Sequence, residues 1–172
     1  MMSMFHIGET VVHPEYGAGK IREIKELSSL GDEEKRYYSI QLIGDPDTTL
    51  MVPLEREAEV GLREPIPEAE LRSVRRVLRA APKKLPSNYK TRCTVLEEKL
   101  REGGVEQIAE IVRDLAARRE MERRLTVRGK RFYQEGMRRL ASEIAGAEGS
   151  DFATAESEIV EILQEATASA GD

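Results

Sequence analysis

Arg36-Tyr37-Tyr38-Ser39-Ile40-Gln41-Leu42-Ile43, followed by Gly44-Asp45-Pro46-Asp47 and then Thr48-Thr49-Leu50-Met51-Val52-Pro53, decides how the first sixty residues fold. Tyr38, Ile40 and Leu42 alternate with more polar neighbours, the period-two pattern of a strand with one buried face. Gly44 to Asp47 turns the chain. Thr48 to Val52 is a second strand, and Pro53 closes it because proline has no N–H to give a ladder. Upstream, the polar stretch Ser28 to Lys35 reads as a hairpin loop. Before it, Ile21, Ile24 and Leu27 fall three apart, which fits a strand over Lys20–Leu27 that carries a bulge. Thr10 to His13 forms a first strand, and Pro14-Glu15-Tyr16-Gly17 a turn. Short strands joined by tight turns predict a small, strongly bent β-barrel.

Downstream, Gly61 to Pro67 is a boundary, and the periodicity becomes helical beyond it. Leu71, Val74, Val77 and Leu78 make one stripe across Glu68–Arg79. Ala81 to Pro86 is a loop, after which Ser87 is a plausible N-cap for a helix through Leu100, stopped by Gly103-Gly104. A third helix runs from Val105 to about Arg124, with Ile108, Ile111, Val112 and Leu115 on one face. Thr126 caps a fourth, whose inward positions are Phe132, Met137, Leu140 and Ile144. Ser150 or Asp151 opens the last, with Ile159, Ile162 and Leu163 as its apolar stripe. The expectation is an α+β chain: a barrel over residues 1–64 and a compact domain of about five helices over residues 65–172.

The net charge of −5 argues, taken alone, against a nucleic-acid partner. Its distribution does not. Residues 1–64 hold 7 Lys/Arg against 13 Asp/Glu, residues 65–145 hold 20 against 12, and residues 146–172 hold 7 acids and no base. A basic block between two acidic ones suits segments with different partners, the middle one facing a polyanion. Arg118, Arg119, Arg123 and Arg124 are the densest run, but Glu120 and Glu122 interleave them as on a solvated, salt-bridged face.

Catalysis finds little support. The histidines are His6 and His13, seven apart and on opposite faces of a regular strand, which disfavours a shared metal. Cys93 is the single cysteine, which agrees with a reducing compartment and reads as a small buried residue. No phosphate-binding loop, dinucleotide fingerprint or paired metal-ligand motif is present. Neither a long apolar run nor a leader pattern appears, so a soluble, cytoplasmic protein without cofactor, metal or membrane contact is expected. No long heptad seam calls for a dimer, and a monomer is expected.

Several stretches resemble the CarD/CdnL transcription regulators. They are Ile7-Gly8-Glu9-Thr10-Val11-Val12-His13-Pro14 with Gly17, then Val52-Pro53, then Val60-Gly61-Leu62-Arg63. Pro86-Ser87-Asn88-Tyr89, Ile108-Ala109-Glu110-Ile111-Val112-Arg113-Asp114-Leu115 and Gly129-Lys130-Arg131 follow. Each is weak singly; together they run in family order over roughly residues 4 to 165. The resemblance implies a Tudor-like barrel, similar to the polymerase-interacting domain of transcription-repair coupling factor, that binds the β subunit of RNA polymerase. It implies a helical domain that contacts promoter DNA at the upstream edge of the bubble, stabilises the open complex and catalyses nothing. The protein would then be nucleoid-associated.

The residues fit that role with two departures. The short apolar Thr48–Val52 strand is the candidate edge for pairing with the polymerase. Thr49 and Met51 point to its contact face, Leu50 and Val52 are contacts or ordinary core, and Leu27 joins the docking set. Family members often carry Arg at the position of Met51, so an ionic contact is missing here. The family also carries Trp, acting as a minor-groove wedge, where this chain has Tyr89. A smaller aromatic still inserts against an unstacked step, and a weaker wedge is expected. The competing reading has Tyr89 merely packed in its helix. Asn88 stands beside it, with Lys90, Arg92, Arg128, Lys130 and Arg131 as phosphate contacts that position without reading sequence. Lys83 and Lys84 rank lower. The rival function is a protein-only adaptor, in which the acidic tail and the missing Trp mean that the helical domain binds protein.

Overall fold

A computed structural model describes residues 4–28, 30–31, 33–102 and 104–170. Four strands, β1 (Thr10–His13), β2 (Gly17–Leu27), β3 (Lys35–Leu42) and β4 (Thr49–Pro53), form an antiparallel sheet in the order β1-β2-β3-β4. The pairing of β2 with β3 passes from Ile21↔Ile40 to Glu23↔Ser39, leaving Arg22 as the extra residue of a bulge. That bulge accounts for the three-residue spacing: it returns Ile24 to the side of Ile21.

The expected barrel does not close. β1 pairs with β2 and β4 with β3, and no ladder joins β1 to β4. The outer edge of β1 is taken by the return segment, which bridges Val12 at Arg63. A short 3₁₀ turn (Leu54–Arg56) and α1 (Glu57–Val60) cover the open side instead. Phe5, Val11, Ile21, Tyr38, Ile40, Val52, Leu54 and Leu62 then fill a first core. Tyr38 is wholly buried, and its hydroxyl donates to Glu57 Oε2, which gives that polar atom a partner inside the core. The outer side of β1 is met by the return segment: Val12 N donates to Arg63 O (2.8 Å) and Arg63 N to Val12 O (3.2 Å).

Five helices follow: α2 (Glu68–Arg79), α3 (Tyr89–Glu102), α4 (Val105–Glu122), α5 (Val127–Glu148) and α6 (Phe152–Ala170). They enclose a second core running from Ile66 to Leu163. Thr126 caps α5 as expected, its hydroxyl accepting from Gly129 N at 3.0 Å. Asp151 caps α6 through Thr154 N at 2.7 Å. The cap of α3 is Asn88, not Ser87: Asn88 Oδ1 accepts from Thr91 N at 3.0 Å, which satisfies an otherwise unpaired donor of the first turn.

The central element is α5. From Gly136 to Ala145 only Arg138 is not buried, because the helix packs against α4 and α6 on one side and the sheet on the other. Small residues make the second contact possible. Ser142 Oγ accepts from Ala18 N at 3.1 Å, and a Cβ on Gly146 would meet Thr10 at 2.9 Å. Glu143, buried, receives the guanidinium fork of Arg63 at 2.6 and 2.9 Å and Ile66 N at 3.1 Å. Sheet and helices are therefore tied by a charge-assisted clamp as well as by packing.

Candidate nucleic-acid interface and docking edge

Tyr89 is the first residue of α3 and is 44% exposed. Because Asn88 ends the loop with its side chain turned back onto Thr91 N, the tyrosine leaves the helix at its very start, clear of a preceding turn. Asn88 is exposed, but its carbonyl oxygen is committed to the cap. Lys90 is exposed beside it.

Arg92 is not at the surface. Expected among the phosphate contacts, it is 7% exposed, and its Nη1 donates to Pro86 O and Ser87 O at 3.0 Å each. Its guanidinium carbon lies 5.6 Å from the centroid of the Tyr89 ring. The three-residue separation places both side chains on one helix face, which brings the guanidinium to the Tyr89 ring while its Nη1 turns back onto the loop carbonyls.

At the start of α5, Arg128 pairs with Glu97 and lies over the ring of Phe132 at 5.6 Å. This pair joins the first turn of α5 to α3 at a point eight residues beyond Tyr89, about 12 Å along the helix axis. Lys130 and Arg131 are exposed on the same turn. The half-exposed aromatic thus has exposed Lys90 beside it at the start of α3, while exposed Lys130 and Arg131 stand at the start of α5, where Arg128 is partly neutralised by Glu97. The denser run behaves as a solvated face: Arg118 pairs with Glu122 at 3.5 Å, and Arg119 lies 4.8 Å over Tyr133.

On the sheet, β4 is an edge strand, paired with β3 alone. Its pleat separates the four candidates. Thr49 and Met51 are exposed (Met51 at 38%), Val52 is buried in the first core, and Leu50 packs partly against it. Leu27 is exposed but ends β2 opposite Lys35, on the far side of β3 from β4. It shares the sheet with the edge without being part of it.

Cys93 is free and buried. His6 bonds Glu9 Oε1 at 2.9 Å, while His13 Nδ1 accepts from Glu15 N (3.0 Å) and Tyr16 N (3.4 Å). Burial holds the His13 imidazole below its usual pKa, with Glu15 opposing and Arg139 adding to the effect. Among the described residues no cluster of three or more His, Cys, Asp or Glu is placed to hold a metal ion. No helix there is long and apolar enough to cross a membrane. Sequence reading missed the clamp of Arg63, Ser142 and Glu143. Its only signal was polar residues set among Leu140, Ala141, Ile144 and Ala145 in a helix already committed to an apolar stripe.

Comparison with known proteins addresses each half of this arrangement. Residues 5–66 match the family described as CarD-like/TRCF RID domain. Residues 73–160 match the family described as CarD, C-terminal domain. YdeB, a candidate transcription factor of Bacillus subtilis (strain 168), is 27% identical over 146 residues, covering 85% of this chain and 94% of that protein. An open sheet followed by a five-helix unit, matched in the same order to the two segments of one family, settles the relationship: the chain belongs to the CarD family of transcription regulators.

Proposed function

We propose that this chain binds the β subunit of RNA polymerase through its N-terminal sheet and stabilises the open promoter complex through its helical domain. In this reading residues 1–64 are the docking unit, with the Thr49 and Met51 face of β4 adding to a strand of the polymerase. Residues 65–172 contact the minor groove at the upstream edge of the bubble, largely without reading sequence. The curved sheet plays the part of the Tudor-like barrel. The protein acts as a monomer in the cytoplasm, at the nucleoid, without catalysis or cofactor.

The observation that carries the proposal is Tyr89: an aromatic side chain 44% exposed at the first position of a capped helix, beside exposed Lys90. Holding a partly unstacked step open costs a few kcal/mol, which an inserted apolar body offsets. The experiment is the lifetime of open complexes formed by purified polymerase with wild type, Tyr89→Ala and Tyr89→Trp. Ala is expected to shorten the lifetime and Trp to preserve or lengthen it. Equal lifetimes for all three remove Tyr89 from the mechanism.

The acidic α6 favours a second reading, a protein-only adaptor. Salt separates the two. Lys90, Lys130 and Arg131 acting on phosphates give a log–log salt slope of about −0.9 per contact, so Lys130→Gln flattens the slope by roughly one contact. A promoter complex whose salt slope ignores all three lysine and arginine positions supports the adaptor.

A further inference from the structure

Arg92 is a buried cation in the first turn of a helix, and both features oppose it. The positive end of the helix dipole lies at that turn, and burial strips the guanidinium of water. Other buried arginines of this chain have carboxylate neighbours: Arg113 bonds Asp114 at 2.8 Å and Arg139 lies 3.9 Å from Glu135. Among the described residues no carboxylate pairs with Arg92. Its partners are two neutral carbonyls, Pro86 O and Ser87 O, and the face of the Tyr89 ring. An apolar residue of similar reach would fill this place at less electrostatic cost, so the contacts made by the guanidinium are the reason for it.

Those contacts converge on one object. Pro86 and Ser87 are the last loop residues before the cap, and bonding both carbonyls to a single nitrogen fixes the path by which the chain enters α3. Asn88 fixes the next residue through Thr91 N and Thr91 Oγ1. The ring of Tyr89 then rests near a planar cation, an attraction that restricts how the ring swings. Lysine is a poor substitute: its ammonium is a compact, strongly hydrated point charge on a flexible stem, without the planar face by which a guanidinium lies against a ring while bonding the two carbonyls.

We propose that Arg92 is a positioning residue, holding Tyr89 in the orientation in which it enters the minor groove, and does not itself contact phosphate. This rests on the wedge reading of Tyr89 and deepens it. A preset ring loses less freedom on insertion, which is how a tyrosine serves where a larger aromatic would insert with less guidance.

The test is a double-mutant cycle on open-complex lifetime, with the full chain and purified polymerase, across a salt series. Variants are Arg92→Gln, Arg92→Lys, Tyr89→Ala and Tyr89→Ala with Arg92→Gln, each melted by circular dichroism. Arg92→Gln is expected to bring the lifetime to within about threefold of Tyr89→Ala, and to change nothing further once Tyr89 is absent. Its salt slope stays that of wild type, because no phosphate contact is lost. Arg92→Lys, which keeps the charge, is expected to behave as Arg92→Gln; it carries the test if Gln does not fold. Rescue by Lys, a flattened salt slope, or additive losses in the double variant each overturn the positioning role while leaving the wedge intact. Wild-type lifetime for Tyr89→Ala overturns the wedge and this role together.

Discussion

His13 offers a view of single-residue chemistry that the proposed function does not use. Its Nδ1 accepts two backbone N–H groups, from Glu15 and Tyr16, and an imidazolium has no acceptor to give them. Burial lowers its pKa in the fold below the usual 6.5. The unfolded chain therefore takes up a proton at a pH where the folded chain does not. The resulting stabilisation is complete above pH 6.5 and is lost as pH falls through the lower, folded value. Melting temperature is expected to decline on going below pH 6.5 and to decline less in His13→Asn, whose amide oxygen accepts at any pH. Parallel profiles for the two proteins would show that His13 is not the group responsible. Sequence placed His13 in its strand but gave no hint of this role, since the acceptor geometry arises only when Pro14 to Gly17 fold back over the ring. The same holds for Arg92. Its charge invited a phosphate partner, and only the packed loop before α3 reveals that the guanidinium is spent on carbonyls.

Strands and helices were readable where one face is buried and the other is wet. Tyr38, Ile40 and Leu42 marked β3, and the odd spacing of Ile21, Ile24 and Leu27 marked the bulge in β2. The starts of α5 and α6 followed from Thr126 and Asp151. Two features were not readable from periodicity. Closure of a barrel depends on strand tilt and stagger across the whole sheet, and here the outer edge of β1 is met by Arg63 and not by β4. The start of β2 lies at Gly17, three residues before the expected Lys20, because β1 and β2 are joined by a turn tight enough to pair His13 with Gly17. Gly17 holds φ = +83°, and a Cβ there would stand 2.6 Å from Ser142 Oγ and 3.3 Å from the Arg139 backbone. Strain in the left-handed region and a clash with α5 act together, so Gly17→Ala is expected to cost about 2–3 kcal/mol in chemical denaturation. A loss below about 0.5 kcal/mol would mean that α5 and the turn separate freely.

Apolar positions up to Leu62 fill one core and those from Ile66 onward the other. What the sequence withheld is how they meet. The Arg63 fork on Glu143 spans eighty positions, and contacts at that separation leave no periodic trace. Because of it, the docking edge and the Tyr89 end are carried on one packed body. In the proposed function, grip on polymerase would then fix the placement of the aromatic side chain relative to it. Everything proposed depends on that grip. The direct measurement is binding of the full chain to purified RNA polymerase, wild type against Met51→Asp. Met51 is exposed, so a carboxylate there leaves the fold intact while charging the edge face. The account predicts that wild type binds and that the variant binds about tenfold more weakly or worse, a loss of at least ~1.4 kcal/mol, at an unchanged melting temperature. Wild type without affinity for the polymerase, or a variant that binds as tightly as wild type, would contradict it.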